Sequence, residues 1–161
     1  MPTQTIFLAL LILPWLSAGL LALLPKKIQV NISILLAGLF TYLAFKVGHM
    51  PEHITSYPWF TLGGNAVVAS FWVTKSAQLL LLLDSIVALF VQIFSKSYLA
   101  EDPKIGRYYS YLHLFIGSMT LLILTDQIYI FYGAWELVGA CSYLLISFWH
   151  QKEAQIGRAH V

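Results

Sequence analysis

Five runs of apolar residues, each close to the length that crosses a bilayer, constrain this chain more than any other feature. They fall at about Ile6 to Leu24, Ile28 to Val47, Leu79 to Tyr98, Tyr109 to Leu124 and Gln127 to Trp149. An α-helix needs roughly 20 predominantly apolar residues to span the hydrocarbon core. In lipid the backbone must satisfy its own hydrogen bonds, so each run is expected as a helix. Only 10% of the residues are charged and 59% are hydrophobic, too few polar side chains to coat a water-facing globule. The expected fold is therefore all-α and integral to the membrane, with lipid as its solvent. Pro14 lies inside the first run, a position that membrane helices tolerate because neighbouring groups satisfy the freed carbonyl. The start "MPTQT" lacks the positive charge of a signal peptide, and Lys26 and Lys27 follow the first run instead, so a retained helix is expected.

Between the second and third runs the pattern changes. "YPWFTLGGNAVVASFWVTK" places aromatic and β-branched residues on both sides of Gly63-Gly64-Asn65. These residues accept the positive φ angles of tight hairpin turns. A short β-hairpin at the membrane surface, with Trp59 and Trp72 near headgroup level, is one reading; an irregular loop is the other.

Lys and Arg set the expected orientation. Lys26 and Lys27, then Lys96, Lys104 and Arg107, then Lys152 fall on one side of five alternating spans, and Lys46 and Lys75 on the other. Positive residues favour the cytoplasm, which puts the N-terminus outside. The net charge of +2 does not suggest a nucleic-acid partner. A single cysteine, Cys141, excludes an intramolecular disulfide and a cysteine-cluster metal site. No phosphate loop, dinucleotide fingerprint or haem or iron–sulfur ligand cluster is present.

Glu136 stands near the middle of the last apolar run, "FYGAWELVGACSYLLISFW". On a helix it shares a face with Tyr132 or Gly133, Gly139 or Ala140, and Tyr143. Small residues admit a neighbouring helix and hydroxyls hydrogen-bond across the contact, so Glu136 is expected to point into a bundle, with Tyr143 as a hydrogen-bond partner. A charged acid at the bilayer centre costs roughly 2.5 kcal/mol or more, and such groups mark ion pathways. Glu136 is the leading candidate for a proton relay; a structural glutamate that joins two helices is the plainer alternative. Asp84, in "LLLLLDSIVALF", is the second candidate for the proton path. It could instead reach a cavity near the outer surface or pair with a residue elsewhere. Asp84, Ala88, Gln92 and Ser95 form a weak polar stripe. His113 is expected close to the inner surface, as an interfacial anchor rather than a proton carrier. Asp126 is expected to cap the fifth helix.

The block "RYYSYLHLFIGSMTLLILTDQIYIFYGAWELVGACSYLLISFW" resembles the fourth and fifth helices of the large antiporter-like subunit of proton-pumping NADH–quinone oxidoreductase, respiratory complex I. The subunit is the NuoL type, also called subunit L or chain 5. Arg107, Tyr108, Tyr109, Asp126, Trp135, Glu136, Val138, Gly139, Ser142, Tyr143, Leu144 and Leu145 carry the likeness. It is specific from about Tyr98 onward, and ahead of that it rests on layout alone. The resemblance implies the N-terminal part of an inverted-repeat fold. It implies proton translocation coupled to electron transfer in other subunits, and maps a key charge of the proton path onto Glu136. That charge normally pairs with a lysine in a later, broken helix. NADH, FMN, iron–sulfur clusters and quinone are implied in other subunits, with no cofactor or metal here. The implied partners are the other membrane subunits and the lipid bilayer, in the bacterial inner membrane. Thr74 stands near the place of an acid in a motif that family members often carry before the third helix, and Asp84, at a different depth, is its candidate substitute. Rival readings are a subunit of a multisubunit cation/proton antiporter, membrane-bound hydrogenase or inorganic-carbon uptake system, or a small five-helix structural protein.

Residues 1–155 are expected to form this N-terminal membrane region. The tail Ile156 to Val161, "IGRAHV", reads as the translation of a common sequencing adapter and is expected to be non-native. Arg158 and His160 therefore carry no functional argument.

Overall fold

A computed structural model describes residues 3–159, with side chains at 3–148, 150, 157 and 158. Its elements are α1 (Thr3–Leu23), α2 (Lys26–Gly48), β1 (His53–Leu62), β2 (Asn65–Val73), α3 (Lys75–Tyr98), α4 (Ile105–Leu124) and α5 (Ile128–Ala159). The five expected helices and the hairpin form, and the irregular-loop alternative falls away.

α1 runs unbroken through Pro14. Four helices, α1, α2, α3 and the Ile128–Phe148 part of α5, are long and apolar enough to cross a membrane. α4 is not among them, a departure from five uniformly apolar spans. The reason is position. α4 packs against all four other helices, so its polar groups face protein and not lipid. Tyr109, His113, Ser118 and Thr120 are all buried on it. α1, α2 and α3 close around α4, and α5 lies against α4's remaining side. One apolar core joins α1, α2, α3, α4 and β2 through Phe7, Leu10, Phe40, Phe71, Leu81 and Ile116. A second gathers Leu21, Leu99, Tyr108, Tyr109 and Phe148 at the opposite end.

The hairpin turns through Gly63 (φ 56°) and Gly64 (φ 84°), where residues with a Cβ are strained. Its antiparallel register pairs Leu62 with Asn65 and slips between Pro58 and Phe60. The bulge accommodates Pro58, which has no amide hydrogen to give the ladder. Thr74 caps α3 by accepting from the Ala77 amide at 3.1 Å. α5 extends past Trp149 to Ala159. Residues 156–159, expected as a foreign tail, continue that helix, and residues 160 and 161 lie outside the described residues.

The two ends of the bundle differ. At one, Lys26, Lys27, Asn31, Lys96 and Ile105 line a shared open groove of about 220 Å³. Lys96 Nζ donates to Asn31 Oδ1 there, at 3.1 Å. At the other, the hairpin docks on the α4–α5 junction. Thr125 Oγ1 donates to the Ser70 carbonyl at 3.2 Å, and Ser70 Oγ donates to Asp126. Asp126 is thus the hairpin's anchor and not the expected cap of α5. The cap is Gln127, whose Oε1 accepts from the Ile130 amide at 2.9 Å.

Candidate functional site

α5 presents Glu136 on the face turned away from α4. Ala134 and Cys141 are buried on the packed face, whereas Tyr132, Gly133, Glu136, Gly139, Ala140 and Tyr143 are exposed together. The helical spacing therefore grouped the right residues. It misplaced their surroundings: among the described residues no helix covers that face, and Glu136 does not point into the bundle they form. Trp135, at 63% exposed, also lies outside the packed core. The hydroxyl nearest Glu136 in sequence on this face is that of Tyr132, one turn earlier. Tyr143, the expected partner, is exposed on the next turns of the same face. A carboxylate flanked by Gly133 and Gly139 leaves room for a second helix to approach closely.

Asp84 sits on α3, which is separated from α5 by α4, so the two acids are not brought to one site. Asp84 is partly buried, and its Oδ2 is buried with no hydrogen-bond partner among the described residues. Its neighbour Ser85 is buried, and the Ser85 carbonyl accepts from Thr41 Oγ1 of α2 at 3.2 Å.

The polar stripe on α3 has more content than its sequence suggested. Gln92 and Ser95 are both buried, and each meets a residue from another helix. Ser33 Oγ of α2 donates to Gln92 Oε1 at 2.7 Å and lies 3.0 Å from His113 Nε2 of α4. Gln92 Nε2 lies 3.3 Å from the same ring nitrogen. Tyr109 donates to the Gln92 carbonyl at 3.0 Å, and Ser95 Oγ lies 2.9 Å from the Tyr108 hydroxyl. His113 is 2% exposed, so it is no interfacial anchor. Its imidazole is enclosed where three helices meet. On α2 the residues Gln29, Ser33, Ala37 and Thr41 recur every fourth position, a second signal in the sequence for a polar seam beside the stripe on α3. Among the described residues no group of His, Cys, Asp and Glu could hold a metal ion.

Residues 59–109 match the family model described as NADH-Ubiquinone oxidoreductase (complex I), chain 5 N-terminus. The match covers the last four residues of β1, all of β2 and α3, and the start of α4. The likeness therefore reaches ahead of Tyr98 in sequence as well as layout. The chain is 37% identical over 125 residues to NAD(P)H-quinone oxidoreductase subunit 5 of the organellar chromatophore of Paulinella chromatophora, covering 78% of this chain and 18% of that protein. It is 39% identical over 100 residues to NADH-quinone oxidoreductase subunit L of Mycobacterium tuberculosis, covering 62% of this chain and 16% of the relative. With subunit L of Rickettsia typhi the identity is 31% over 162 aligned positions, covering 94% of this chain and 25% of the relative. The chain thus spans a quarter or less of the length of these relatives.

Proposed function

We propose, on the premise that this chain belongs to the subunit L (chain 5) family of NADH–quinone oxidoreductase, that it forms the N-terminal part of a subunit that moves protons across a membrane. Electron transfer takes place in other subunits, which hold the NADH site, FMN, iron–sulfur clusters and quinone. This multi-pass membrane region contributes no redox centre and works as part of a translocase, beside the other membrane subunits of the complex. It lies in a bacterial inner membrane with its N-terminus and hairpin outside and its basic end in the cytoplasm.

The observation that carries the reading is Glu136. It is a carboxylate in the apolar part of α5, one turn from the Tyr132 phenol, on a small-residue face that the described residues leave uncovered. A covering helix would take that acid out of lipid and bring a partner charge to it. An opposite charge that approaches favours the ionised acid, and one that withdraws favours the neutral acid, so the carboxyl releases and takes up a proton as the partner moves. Asp84 is a second candidate on a separate helix, and Tyr143 extends the polar face by two turns.

The test is Glu136→Gln in the full-length subunit, assembled in its complex and reconstituted in vesicles. Glutamine keeps the shape but neither takes up nor releases a proton. Proton uptake driven by NADH is expected to fall at least several-fold, with Glu136→Asp retaining part of it. Unchanged uptake in assembled Glu136→Gln complex would assign Glu136 a structural role.

A further inference from the structure

The cluster of Ser33, Gln92 and His113 has a property that a merely structural polar contact lacks. Both partners of His113 Nε2 can donate and both can accept. A hydroxyl does either, and a carboxamide offers an oxygen or, turned over, an NH₂ of nearly the same shape. In one arrangement Ser33 donates to Gln92 Oε1, the Gln92 NH₂ donates to His113 Nε2, and the ring hydrogen sits on Nδ1. In the other the amide is turned over. Its NH₂ then donates to Ser33 Oγ, and Nε2–H donates to the amide oxygen and the serine oxygen. The Ser33 hydrogen turns to the carbonyl one helical turn back. Ser17, Ser95 and Ser118 of this protein already donate in that way, to Leu13, Val91 and Leu114.

We propose that His113 is a second proton-transfer site, a neutral imidazole that the Gln92 amide and the Ser33 hydroxyl hold in either tautomer. A proton given by a water molecule to the Ser33 hydroxyl, which passes its own hydrogen to Nε2, forms an imidazolium. The other ring nitrogen then releases its proton to a second water molecule. One proton enters and one leaves, the ring is left as the opposite tautomer, and turning the amide and the hydroxyl restores the fit. The surroundings suit a site that stays neutral between transfers. α2 faces it with Ser33 and α3 with Gln92; Tyr109, on the same helix as His113, engages the Gln92 backbone. α1 carries no charged side chain, and Glu136 of α5 is turned outward. On α3, Asp84 lies eight residues before Gln92, and Lys96 four residues after it is held by Asn31.

The purpose of the site rests on the proton-translocation reading, but its test does not. The chain, labelled with ¹⁵N at histidine and placed in phosphatidylcholine vesicles, is examined by solid-state NMR, with His113→Asn identifying the His113 signals. Both neutral tautomers are expected in the wild-type protein. In Gln92→Met, which keeps the volume but not the amide, Ser33 alone faces Nε2 and the ratio of the two tautomers is expected to shift at least several-fold. A single tautomer in the wild-type protein overturns the proposal even if the variant does not fold. A folded Gln92→Met protein with the wild-type tautomer ratio overturns it as well. Neither outcome bears on Glu136.

Discussion

Gly117 of α4 makes room for the Trp15 indole of α1: a Cβ at residue 117 would stand 2.9 Å from Trp15 Cε2. α1 and α4 are among the most closely associated helices in the molecule, and this contact sets their approach. Gly117→Val is expected to destabilise the fold by about 1–3 kcal/mol, because the indole is wedged and the helices must separate. Unfolding by a denaturing detergent in mixed micelles measures it, and Trp15→Leu in the same chain should recover part of the loss. An unchanged unfolding midpoint would show that the indole moves aside freely.

The Ser33–Gln92–His113 contact predicts energetic coupling. Gln92→Leu removes the amide from Ser33 Oγ and His113 Nε2, which keep only each other, at a cost of about 0.5–1.5 kcal/mol. His113→Leu costs a similar amount. The double variant should cost clearly less than the two added together, because each single change already breaks the shared contact. Strict additivity in the unfolding free energies would mean that the three groups act independently.

Asp126 ties the hairpin to the α4–α5 junction through the Ser70 hydroxyl. Asp126→Ala is expected to raise amide exchange in β2, around residues 66–73, by about fivefold, as suits the loss of about 1 kcal/mol of local stability. Asp126→Asn, which still accepts from Ser70, should stay near the wild-type rate. Exchange in the helix interiors should be unaffected in both.

Much of this architecture was legible because hydropathy and turn chemistry are local signals. The apolar runs marked the helices, and Gly63-Gly64-Asn65 marked a turn that needs positive φ. The extent of α5 was less legible. Hydropathy reports where lipid is tolerated, so the reading stopped at Trp149, whereas the helix continues into residues that simply contain no break before Gly157. α4 shows the same limit in reverse, since a helix surrounded by protein need not be apolar. Ser33 is 59 residues from Gln92 and 80 from His113, so nothing local joined them. The polar face of α5 was legible from its spacing. Which way it faces depends on the order in which the helices pack, and helical periodicity carries no such information.

The orientation is open to a chemical check. In a Cys141→Ser background, Asn65→Cys at the hairpin turn should react with a membrane-impermeant thiol reagent added outside intact cells, in cells that express the full-length subunit without other cysteines. Lys104→Cys at the basic end should react only after the cells are opened. The opposite pattern would invert the proposed topology.

Glu136 as a proton carrier predicts that its carboxyl changes protonation while the complex turns over. Infrared difference spectroscopy of the assembled complex, recorded as NADH is added, reads the carbonyl stretch of protonated carboxyl groups. A band in that region should appear in the wild-type complex and be missing in Glu136→Gln. A difference spectrum identical in the two complexes would contradict the assignment of Glu136 to the proton path.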